Sequence, residues 1–166
     1  MGLLFYLGEY SDQVILNIIR HAQASSNSLD GADKGRILTD EGLLQAVKLG
    51  KYFLSSEDRP ELILCSPYRR TLETAHLIAE YGNLDNPQEE SWLAAGMHPE
   101  TALAELQVYK EFRSIILIGH QPDLSYLIER LDVVRKLVDV EVASLHQFTG
   151  EPKEAGGIFK KIQYSE

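Results

Sequence analysis

The sequence predicts an α/β fold, a three-layer α/β/α arrangement on a largely parallel central sheet. Two observations predict it. Short β-branched apolar runs alternate with amphipathic stretches of helical spacing through most of the chain, and the runs Val14–Ile19, Glu61–Cys65 and Ser114–Ile118 read as buried strands. With 166 residues, 44% of them hydrophobic, the chain can bury a sizeable core, and a single domain over residues 1–166 is expected. A charged fraction of 25% without low-complexity tracts excludes wholesale disorder.

Taken in order, residues 1–12 alternate Leu3, Phe5 and Leu7 as an edge strand does, but Gly2 and Gly8 weaken that reading and leave it open. The strand from Val14 stops at Arg20-His21. Ser25 to Gly35, rich in Ser, Asn, Asp and Gly, is loop chemistry. Thr39 caps a helix with Asp40 and Glu41 in its first turn, running to about Ser55. Pro60 turns the chain into the strand Glu61–Cys65, after which Ser66-Pro67 caps a helix from Tyr68 to Tyr81. Glu89 to Leu93 reads as a short strand, and Pro99 opens a third helix carrying Leu103, Leu106 and Val108. Ser114 to Ile118 is followed by Gly119-His120, and Pro122 starts a helix with Leu124, Leu127, Ile128 and Leu131. Val140–Phe148 and Ile158–Tyr164 are β-like and predict a terminal hairpin or two sheet-edge strands.

The net charge of -9 argues against a nucleic-acid surface, because phosphate backbones are held by a basic field. Cys65 is the sole cysteine, so no internal disulfide can form; at the end of an apolar run it reads as a core thiol in a reducing compartment. The apolar start of the chain lacks a basic leader and is cut short by Glu9 and Asp12. Neither a signal peptide nor a membrane span is expected, and the location predicted is cytoplasmic. His/Cys clusters, Asp-rich loops and Walker-type glycine loops are absent from the sequence, so neither metal nor cofactor is expected.

Parallel strands place their carboxyl ends along one edge of the sheet, where ligands of such sheets bind. Here those ends carry Arg20-His21, Ser66-Pro67-Tyr68-Arg69-Arg70 and Gly119-His120. One Arg-His pair after a strand is an ordinary loop; three such ends make a pocket for a dianion. Guanidinium forks donate paired hydrogen bonds to phosphoryl oxygens, an imidazole adds a donor or a nucleophile, and Asn27 and Ser66 supply neutral donors.

Arg20-His21-Ala22, Asn27, the loop Asp33-Lys34-Gly35-Arg36-Ile37-Leu38-Thr39-Asp40-Glu41-Gly42, SPYRRTLETA from Ser66, and Gly119-His120-Gln121-Pro122 resemble, in order, the pattern of the histidine phosphatase superfamily. The chain's length is similar to its compact SixA-like phosphohistidine phosphatases. The resemblance implies a phosphoglycerate mutase-like fold, His21 as nucleophile, and Arg20, Arg70 and His120 as the groups on the phosphoryl oxygens, with Arg69 a surface or rim charge. It implies a metal-independent phosphatase acting through a covalent phosphohistidine, on a phosphorylated protein or a small phosphate ester.

The pattern departs at one place. Many relatives carry an acid after a Leu in the middle segment, where Trp92-Leu93-Ala94-Ala95-Gly96 offers alanine. Glu89, Glu90, Glu100 and Asp123 are the nearby alternatives. An imidazole protonated on its second nitrogen leaves neutral and needs less acid assistance than an alkoxide, so the departure favours phosphohistidine as substrate. A small-molecule phosphomonoesterase and a phosphoryl-binding module without turnover are the rival readings. His76, His98 and His146 are expected to pack or to face solvent.

Overall fold

The computed structural model describes residues 13–152 and 156–164; residues 1–12, with their open edge-strand reading, lie outside them. The elements are β1 (Val14–Arg20), α1 (Asp40–Ser55), β2 (Leu62–Cys65), α2 (Arg69–Gly82), β3 (Gln88–Glu89), α3 (Pro99–Leu106), β4 (Ser114–Gly119), α4 (Asp123–Leu131), β5 (Leu145–Gly150) and β6 (Gly157–Ile162). Single 3-10 turns cover Asp33–Gly35, Ser91–Leu93 and Gln107–Tyr109.

The strands form one sheet in the order β3-β2-β4-β1-β5-β6. The first four are parallel, and β5 and β6 continue the sheet antiparallel. Pleating divides the apolar runs between two faces. Leu16, Ile18, Leu64, Ile115 and Leu117 pack under α3 and α4, whereas Ile19, Ile63, Cys65, Ile116 and Ile118 pack under α1 and α2. Covering both faces of β4 buries every one of its side chains, which is why the run Ile115–Ile118 carries no polar residue. The three-layer expectation is met.

Thr39 caps α1 by accepting from the Gly42 amide at 3.1 Å, as the sequence predicts. Gly42 is required by contact: a Cβ there would lie 2.0 Å from the Gln23 carbonyl oxygen, so α1 rests directly on the chain leaving β1. Other boundaries differ. The predicted strand Glu89–Leu93 splits into the two-residue β3 and a 3-10 turn, because Leu93 turns inward to the core. Helix α2 starts at Arg69 with Tyr68 as N-cap, which makes no side-chain cap bond; Ser66 Oγ instead accepts from the Tyr68 amide at 3.3 Å.

The tail strand begins at Leu145 rather than Val140. Ala143 adopts φ 55 and its amide donates to the Arg20 and His21 carbonyls, so the chain bends across the end of β1 despite its β-branched residues. Beyond that bend β5 and β6 form a hairpin, and β6 is also the sheet's edge. No helix among the described residues is long and apolar enough to cross a membrane.

Candidate active site

β1, β2 and β4 are neighbours running the same way, so the chain after each emerges at one edge of the sheet. Helix α2, starting four residues after β2, carries Arg70 to that edge. The His21 amide donates to the Gly119 carbonyl at 3.2 Å, and the His21 and His120 ring centroids stand 5.5 Å apart. Both imidazoles, Arg70 and Ser66 are buried.

Hydrogen bonds assign the tautomers. His21 Nδ1 lies 2.8 Å from the Ala22 carbonyl, which accepts, so Nδ1 carries the proton. Arg70 Nε donates to His21 Nε2 at 3.1 Å, which marks Nε2 as the lone-pair nitrogen. Arg70 Nη2 stands 3.3 Å from His120 Nδ1, leaving His120 Nε2 to donate to Ser66 Oγ at 2.7 Å. A single guanidinium thus bridges the acceptor nitrogens of two neutral imidazoles.

Electrostatics agree. Burial, opposed by the Ala22 hydrogen bond and reinforced by the charges of Arg70, Arg20 and Arg36, lowers the His21 pKa to about 4. Burial, then Arg70, lowers that of His120 to about 3. Both rings are neutral at pH 7.

Arg20 donates from Nη1 to the Val140 carbonyl at 3.1 Å. It stands beside the cluster, and its charge lowers both imidazole pKa values. Asn27 lies apart from the bonded cluster, on an exposed loop, where it lines a cavity of about 350 Å³ with Ser28, Asp33 and Arg36. Arg69 pairs with Glu73 on the helix surface at 2.9 Å.

Sequence reasoning missed two participants. Asp33 accepts from Arg70 Nη1 through its carbonyl at 2.8 Å and from Arg70 Nη2 through Oδ2 at 3.0 Å, while its Oδ1 meets Arg36 Nη1 at 3.0 Å. The Tyr68 ring packs 4.7 Å from the His120 ring and 4.9 Å from Arg70 Cζ. The position of Asp33, three residues before Arg36 in the Asp33–Gly42 loop, was the available signal; Tyr68 had none.

Three of the alternative acids are engaged elsewhere: Asp123 Oδ2 accepts from the Gly96 amide at 2.8 Å, Glu90 from the Tyr109 hydroxyl, and Glu100 from Arg130 at 3.0 Å. Glu89 is exposed on β3. Of the other histidines, His76 and His98 face solvent and His146 is buried.

No curated protein matches the sequence. Among solved structures, the protein histidine phosphatase SixA complexed with tungstate is similar at a TM-score of 0.79 and 22% identity, over 92% of this chain and 97% of that one. Phosphoglycerate mutase from Bacillus anthracis str. Sterne is similar at 0.67 and 18% identity, over 93% of each chain. The alpha-ribazole phosphatase from Shigella flexneri is similar at 0.66 and 20% identity, over 90% of this chain and 96% of that one. These likenesses share the fold. The model of the histidine phosphatase superfamily (branch 1) matches residues 16–110, more than half of the chain and the span that holds His21 and Arg70; the chain is a phosphatase enzyme belonging to that superfamily.

Proposed function

We propose that this protein hydrolyses phosphohistidine on a protein substrate through a covalent phosphohistidine at His21. The observation that carries the reading is the fixed tautomer of His21: Nδ1–H is tied to the Ala22 carbonyl and Nε2 faces the guanidinium of Arg70. A nucleophile needs an aimed lone pair, and an oxyanion needs cationic donors beside it.

Nε2 attacks phosphorus in line, forming the N–P bond as the bond to the leaving imidazole breaks. That imidazole, protonated on its second nitrogen, departs neutral. Water then attacks the phosphorylated His21, the N–P bond opens, the water's proton ends on inorganic phosphate, and Nε2 is free again. Arg70 and Arg20 supply the positive field and donors for the equatorial oxygens, whose charge dominates catalysis of phosphoryl transfer, and the neutral His120 adds a donor by turning its Nε2–H from Ser66 Oγ to the phosphoryl group. Ser66 orients His120.

The substrate class rests on the missing acid. The carboxylate bonded to the cluster, Asp33, is opposed by burial but held below the usual carboxylate range by the hydrogen bond and charge of Arg70, then of Arg36. It stays ionised and cannot protonate an alkoxide at pH 7, whereas a leaving imidazole needs no such help. The likeness to SixA, named as a protein histidine phosphatase, supports the same class.

The test is to supply a phosphohistidine-bearing protein domain and, separately, an alkyl phosphate. Faster turnover of the phosphohistidine, with label trapped on His21 and abolished in a folded His21→Ala variant, is the expected result. Faster turnover of the alkyl phosphate overturns the substrate class, and a folded His21→Ala variant with full turnover overturns the mechanism.

A further inference from the structure

We infer that Asp33 is a displaceable counter-ion, holding the Arg70 fork and surrendering it to the phosphoryl group, so that it tunes phosphate affinity and product release. The inference rests on the phosphatase reading and deepens it. Arg70 is buried, with its side chain 6% exposed, and the Asp33 side chain is 57% exposed. The guanidinium is therefore the fixed partner and the carboxylate the movable one.

Each nitrogen of Arg70 already has an acceptor within the protein: His21 Nε2, the Asp33 carbonyl, Asp33 Oδ2 and His120 Nδ1. A tetrahedral dianion within reach of His21 Nε2 needs donors from that same fork, and Asp33 Oδ2 is the anionic acceptor it must replace. The Asp33 carbonyl still holds Nη1, so loss of the carboxylate contact leaves Arg70 tethered. Arg36 retains the released carboxylate: its Nη1 bonds Oδ1, and its Nε donates to the Ser25 carbonyl at 2.6 Å. The carboxylate thus bridges two arginines, one in the phosphoryl site and one lining the neighbouring cavity, and can give up the first while keeping the second.

The consequences differ in sign from those of a structural brace. An internal anion competing for Arg70 weakens binding of inorganic phosphate and speeds its departure, so removing its charge tightens phosphate. Removing Arg36 gives the carboxylate to Arg70 undivided and weakens phosphate.

The experiment measures inhibition by inorganic phosphate at pH 7.5, with kcat and KM, in the wild type, Asp33→Asn, Asp33→Glu and Arg36→Gln. The inhibition constant is expected to fall about fivefold in Asp33→Asn, the scale of a partly exposed ion pair, with KM and kcat falling together. It is expected to return toward the wild-type value in Asp33→Glu and to rise in Arg36→Gln. Unchanged or weakened phosphate binding in Asp33→Asn overturns the inference and makes Asp33 a brace. Should Asp33→Asn not fold, the direction of the Arg36→Gln effect decides. A wild type that turns over no phosphohistidine overturns the proposed function, whereas a wild type that turns over while Asp33→Asn leaves phosphate inhibition unchanged overturns the role of Asp33 alone.

Discussion

The chemistry assigned to His21 depends on keeping a nitrogen lone pair in a field of arginines, and that field is itself what keeps the ring neutral. Imidazolium formation is opposed by burial first and by Arg70, Arg20 and Arg36 after it; for His120 Arg70 comes directly after burial. Replacing Arg70 by Gln removes a repelling charge from both rings. Titration of the ring protons by NMR is expected to show both midpoints well below the ordinary imidazole value in the wild type and shifted upward in Arg70→Gln. Absent movement would mean that burial acts without Arg70, and downward movement would reverse the sign assigned to its charge. At this scale the sequence was informative wherever a residue stood at the end of a strand: His21, Ser66, Arg70 and His120 form one bonded cluster because parallel strands share an edge. For Asp33 the sequence marked a loop position but not the direction of its carboxylate. A loop carboxylate can turn to solvent or inward with equal local chemistry, and the guanidinium that selects the inward direction arrives from a helix 37 residues later.

Between elements, one hydroxyl joins the end of β1 to α2. Thr74 Oγ1 donates to the Arg70 carbonyl at 2.7 Å and accepts from the Ala22 amide at 3.1 Å, and the Ala22 carbonyl is the acceptor that fixes the His21 tautomer. Thr74→Val keeps the shape but leaves a buried Ala22 N–H without a partner, a loss of about 1–3 kcal/mol. Urea unfolding is expected to register that loss, with Thr74→Ser restoring most of it; equal stability of the Val and Thr forms would remove the hydroxyl from the account. Elements with long periodic patterns were readable, and α1 with its Thr39 cap is the example. The short β3 was not, because two extended residues carry no periodicity and their pairing is decided by β2 alongside. The segment from Val140 to Ser144 misled for the opposite reason: its β-branched residues favour extension, but the carbonyls of Arg20 and His21 capture the Ala143 amide and bend it.

Across the whole molecule, a chain of net charge -9 concentrates Arg20, Arg36 and Arg70 around two uncharged histidines, and this local inversion of sign should be visible in its acid stability. The folded pKa values of His21 and His120, about 4 and about 3, lie below the unfolded value near 6.5. Above pH 6.5 neither state binds these protons and the full stability is present. As pH falls below 6.5 the unfolded chain takes up protons that the folded one refuses, so stability is lost progressively until the folded values are crossed. For His21 the loss is roughly 3 kcal/mol, from 1.36 kcal/mol per pKa unit, and His120 adds a loss of the same sign. Sulfate, a dianion throughout this range, is expected to oppose the decline by favouring the charged rings in the folded state. Urea unfolding from pH 7 to pH 4 should show the fall, a shallower fall in His21→Asn, and a shallower fall again for the wild type in sulfate than in an equal ionic strength of chloride. A stability that stays level from pH 6.5 to 4 would mean that the folded protein protonates these imidazoles freely, and the pocket would then carry two positive rings where the mechanism needs a lone pair.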